Sequence, residues 1–118
     1  SHNQIIGLLN NPERSIRFEA INAVKQLLIN NAEDVLIDMY HREQKLNKMA
    51  ILEALSEIGT KTTLDFVTDF LKQNHIADPD EKIKLVYCLN KLDTTFFQTN
   101  FANDSEMNLI RKHVANMS

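Results

Sequence analysis

Turn-forming residues are almost missing from this chain, which has two Gly and two Pro in 118 positions. So little turn material argues against a sheet built on tight hairpins. Tryptophan is absent and aromatics amount to 7%, which weakens the case for a β-sandwich or barrel further. A single cysteine excludes an intrachain disulfide framework and says nothing about redox environment. Long apolar runs are also lacking, since Val35-Leu36-Ile37 is followed at once by Asp38. A membrane span needs roughly 20 apolar residues, and no stretch of this sequence approaches that. Nor does the chain open on a basic stretch followed by an apolar run, the pattern of a signal peptide.

What is present is ordinary for a folded domain: 43% hydrophobic residues, 25% charged residues and a net charge of −3. The length suffices for one domain with its own core. Within it one short pattern is written about three times. Leu8-Leu9-Asn10-Asn11-Pro12, Ile16-Arg17, Ala20, Ala23-Val24 and Leu27 are echoed by Asn47-Lys48, Ile51, Ala54-Leu55 and Ile58-Gly59, then by Glu81-Lys82, Leu85, Cys88-Leu89 and Leu92. Ala23, Ala54 and Cys88 are spaced by 31 and 34 residues. Such a period predicts stacked helical pairs.

Helix signals agree with that reading. Asn3 to Leu9 is expected as a short opening helix, with Pro12 at the first position of the next. From Glu13 to Ile29 the set Ile16, Ala20, Ala23, Val24, Leu27 and Leu28 keeps a 3.6-residue period, so these are the expected inward residues. Ala32 to His41 follows, then Glu43 to Ile58 with Leu46, Met49, Ala50, Leu55 and Ile58 inward, and Gly59 as a left-handed stop. Thr60 or Thr62 caps a helix to Asn74, and Asp78-Pro79 starts one that ends at Leu92. Thr94 or Thr95 opens a short segment carrying Phe96, Phe97 and Phe101, and Asp104 or Ser105 caps the last helix. About eight helices, alternately short and long, make four hairpins, each too small to bury its apolar face without a neighbour.

The run from Leu8 to Leu27 resembles a HEAT repeat in its paired leucines, Asn-Pro turn, Ile-Arg pair and spaced alanines. Ala54 to Gly59, followed by Leu64, Val67 and Leu71, is similar to that family's repeat boundary. The resemblance covers about residues 5 to 93. It implies an all-α, right-handed α-α superhelix of four hairpins over one domain, 1–118, with repeats near 3–29, 32–58, 60–92 and 94–117. The ends, Ser1-His2 and Ser118 with no clear terminal cap, give the expectation of a segment of a longer protein. The resemblance also implies that Arg17, Lys48 and Lys82 brace neighbouring repeats and that the second-helix surface binds other proteins. Asn47 departs from the pattern, which has Ile or Val there, and the fourth unit is degenerate.

Chemistry-bearing patterns are weak by comparison. His2, His41, His75 and His113 show no zinc spacing, and Cys88 in the small-residue position reads as a packed thiol. The i,i+4 pairs Asp34/Asp38, Asp65/Asp69 and Glu53/Glu57 read as solvated helix faces. Gly59-Thr60-Lys61-Thr62 lacks the glycine and order of a phosphate loop. No enzyme, metal or cofactor is therefore expected. Charge is distributed unevenly, however, with most Lys and Arg on the long second helices and carboxylates on the short first ones. Part of that separation is complementation of helix dipoles by Glu13, Glu43, Asp80, Glu81, Asp104 and Glu106 in first turns.

The expected function is a non-catalytic interaction or scaffold module. Its candidate contacts are Arg14, Asn22, Lys25, Lys45, Lys48, Glu53, Lys84 and Lys91 on the inner faces, and its candidate partner is an acidic protein segment. Two other readings belong to HEAT-like families: a DNA clamp of the glycosylase kind, disfavoured by acidity and the lack of an aromatic platform, and an accessory role beside an enzyme such as a chromophore lyase. Compartment and oligomeric state are left open.

Overall fold

Side-chain caps place several of the helix starts. In the computed structural model, which describes residues 1–117, Ser1 caps α1 (His2–Leu8) through a reciprocal pair with Gln4. Thr60 Oγ1 accepts from Thr62 N at the start of α5 (Lys61–Gln73). Asp78 Oδ1 accepts from Asp80 N and Glu81 N ahead of Pro79, opening α6 (Pro79–Leu92). Asp93, and neither threonine, caps α7 (Thr94–Asn100), and Asp104 caps α8 (Ser105–Ala115). A short carboxylate or hydroxyl accepting an orphan amide is what these positions supply.

Three boundaries differ from the sequence reading. The second helix, α2 (Arg14–Leu27), starts after Pro12, whose carbonyl is taken by a side chain instead. A 3₁₀ turn, Asn30–Ala32, precedes α3 (Glu33–Tyr40), and α4 is Lys45–Ile58, which leaves Glu43 ahead of it. Gly59 has φ −64 and ψ 147, an extended backbone open to any residue, so it is no left-handed stop. The left-handed residue is Leu28, at φ 52 and ψ 54. Leu28 N donates to Lys25 O and Ile29 N to Val24 O, which closes α2 in a Schellman motif.

The chain divides into two compact units between Gly59 and Thr60. In the first, α2 packs on α1 and most extensively on α4, which also packs on α3. In the second, α6 is central, against α5, α7 and α8. All elements are helical among the described residues.

Burial corrects the expected inward set. Ala20, Ile21 and Val24 are the buried residues of α2, whereas Ile16, Leu27 and Leu28 are exposed, as is Leu46 of α4. Helix α4 is buried along most of its circumference, through Asn47, Ala50, Ile51, Leu52, Ala54, Leu55, Ser56 and Ile58. Ala54 and Cys88 are fully buried, but Ala23 is only half-buried. Periodicity finds an apolar stripe; which flank of it meets the core depends on the neighbouring helix.

Candidate interaction surface

In the first unit the long helices run side by side in one direction. Near their starts Asn47 Nδ2 of α4 donates to the Arg14 carbonyl of α2 at 3.3 Å. Toward the far end of α2, Lys25 Nζ reaches Glu53 Oε2 at 3.3 Å. At the same end as the first of these contacts lies the strongest polar feature of the unit. Arg17 Nε donates to Glu43 Oε2 at 2.8 Å and Nη2 to Oε1 at 3.2 Å. Its Nη1 donates to the carbonyls of Asn11 and Pro12, each at 2.9 Å. Asn47 Nδ2 adds a bond to Glu43 Oε1 at 2.9 Å.

The Glu43 side chain is 2% exposed and that of Arg17 21%. A carboxylate this enclosed needs the planar fork of a guanidinium to compensate lost hydration. The group therefore ties the turn before α2 to the start of α4, and its bonds are consumed within the fold. Asn47, the departure from the aliphatic pattern, occupies a fully buried position as an aliphatic residue would, and serves Glu43 from it.

The second unit has a looser, solvent-exposed counterpart. Lys82, on the first turn of α6, pairs with Glu106 on the first turn of α8. In both units a basic residue near the start of one long helix meets a glutamate at the start of the next. Lys48 behaves differently, its Nζ lying 5.2 Å from the centre of the Tyr40 ring of α3.

The candidate contacts are thus placed as follows. Lys25 and Glu53 come together as a half-exposed ion pair, with Asn22 one turn away on the same flank of α2. Arg14 and Lys45 stand exposed at the starts of α2 and α4. Lys48 is turned toward α3 and is not gathered with them. On α6, Lys84 and Lys91 converge on one half-buried side chain, with ammonium groups 5.4 and 5.8 Å from the centre of the Tyr87 ring. Tyr87 was passed over in the sequence, although its position three after Lys84 and four before Lys91 puts all three on one face. Glu43 was passed over because its burial is a tertiary effect.

Two concavities accompany these helices. One of about 280 Å³ lies in the first unit beside Asn11, Arg17, Arg42 and Glu43. Another of about 440 Å³ lies in the second unit between the ends of α5 and α7 and the start of α8. Among the described residues no group of three or more His, Cys, Asp and Glu is gathered for a metal ion, and no helix is long and apolar enough to cross a membrane. No family model matches the chain, and neither a curated protein nor a solved structure matches it significantly.

Proposed function

We propose that the chain is a non-catalytic protein-interaction module of HEAT-like helical hairpins, which takes an acidic protein segment on its long helices. The observation that carries this reading is the α6 face, where Lys84 and Lys91 are held against Tyr87. Two ammonium groups set one on either side of a ring in sequence suit carboxylates spaced along a peptide, and the ring adds apolar contact area. The structural lysine of this helix, Lys82, is engaged by Glu106 and is left out of the contact set. On the first unit Lys25 is paired with Glu53, and Arg14 and Lys45 stand exposed at the starts of α2 and α4.

The test is a titration by fluorescence anisotropy with a labelled Glu/Asp-rich peptide of about twelve residues. Charge reversal of both lysines, Lys84→Glu with Lys91→Glu, is expected to weaken binding by about tenfold or more in a variant whose circular dichroism shows it folded. Equal binding by wild type and double variant overturns the assignment. Binding of a short DNA duplex at low salt, with affinity falling steeply as salt rises, replaces it with a nucleic-acid reading.

A further inference from the structure

Two helix flanks of the first unit meet at the Lys25–Glu53 pair. On α2 that flank carries Phe18, Asn22 and Lys25 at i, i+4 and i+7, and on α4 it carries Leu46, Met49 and Glu53 at i, i+3 and i+7. Because Lys25 and Glu53 reach each other, the residues sharing their flanks border one groove. One to two turns before the pair, toward the helix starts that Asn47 and the Arg14 carbonyl hold together, the groove is apolar. Leu46 is 52% exposed there, and Phe18 and Met49 are half-buried. A single exposed leucine is ordinary on a protein surface. One set beside a phenylalanine and a methionine, between two packed helices, offers adaptable apolar area to a partner's side chain. Exposed Arg14 lies one turn before Phe18 on the same flank of α2. The acidic group bordering the groove, Glu53, is held by Lys25 at 3.3 Å and lies one turn beyond Met49.

We infer that this groove docks an extended peptide through one large aliphatic side chain, seated on Leu46, Phe18 and Met49, with a carboxylate two residues along reaching Arg14. Side chains two apart on an extended strand share a face and stand roughly 6–7 Å from each other. Four residues of helix, the separation of Arg14 and Phe18, rise about 6 Å, so the two spacings match. The proposal rests on the interaction reading given above, and names for it an apolar anchor built wholly within the first unit.

The experiment follows backbone amide shifts of the whole chain by ¹H–¹⁵N NMR during titration with three peptides of about twelve residues. One is acidic with a single central Leu and an Asp two positions on. In the second that Leu is replaced by Ala, and in the third the acidic residues are replaced by Asn and Gln. Saturable shifts are expected at residues 14–18 and 46–49 with the first peptide, and binding there is expected to be weaker by about tenfold with either of the others. Leu46→Glu, at an exposed position, should abolish these shifts in a chain whose spectrum otherwise remains that of the folded wild type, and Leu46→Met should keep them. Equal binding of the Leu and Ala peptides, equal binding of the neutral peptide, or full binding by Leu46→Glu overturns the assignment. Shifts confined to residues 84–91 and indifferent to the leucine overturn it while leaving the α6 reading in place. Groove shifts that persist in the Lys84→Glu, Lys91→Glu variant uphold it even where the α6 assignment fails, and no shift with any of the peptides overturns both.

Discussion

Two residues hold conformations or charges that the fold must compensate. Leu28 is left-handed and 54% exposed. An L-residue with a Cβ pays about 1–2 kcal/mol there, and glycine avoids that cost while losing more backbone freedom on folding. Leu28→Gly is therefore expected to raise stability by about 0.5–1 kcal/mol, seen as a higher urea midpoint with an unchanged slope. Arg17 is the opposite case. Arg17→Met would strand the enclosed carboxylate of Glu43, so a loss of about 3 kcal/mol is expected by the same measurement. Adding Glu43→Leu should recover most of that loss. No recovery would mean that the pair matters through packing and not through charge compensation.

Helices show where periodicity reads correctly and where it slips. The cap-then-proline start at Asp78-Pro79 was legible, and the caps of α5 and α8 were narrowed to two residues each, of which Thr60 and Asp104 serve, because each cap acts within three residues of itself. The core flank of α2 was legible only in part. Ala20 and Val24 of the expected stripe are buried, but Ile21 beside them is buried too, while Ile16, Leu27 and Leu28 at the ends of the stripe stay in solvent. Leu27→Gln should consequently change stability by less than about 0.5 kcal/mol. Ala54→Phe, at a fully buried position of α4, should cost about 1–3 kcal/mol by overpacking. Equal thermal shifts for the two variants would show that the flank of α2 has been misassigned.

For the molecule as a whole, the chain carries its own reporter. Cys88 is the single cysteine and lies fully buried in α6, the central helix of the second unit. At a stability of about 5 kcal/mol, its labelling by a thiol reagent should be slowed on the order of 10³-fold or more relative to the urea-unfolded chain. Labelling within an order of magnitude of the unfolded rate would mean that the second unit opens locally. The candidate surface was legible only in part. Lys84 and Lys91 could be named from their place on a long helix, but their meeting at Tyr87 needed the actual rotation of α6, and the concavity beside Lys72 is assembled from four helices with no motif.

Sequence alone determined the all-helical character, most of the helix starts and the spacing of small residues, because scarce glycine and proline, local caps and a 3.6-residue period act over a few neighbours. Only the tertiary structure decided which flank of α2 is core, that Glu43 is buried beneath Arg17 while Lys25 is neutralised by Glu53, and that Leu28 and not Gly59 takes the left-handed turn. Those outcomes depend on how α2 and α4 are rotated against each other. Burial and charge pairing are properties of that contact, which no single helix encodes.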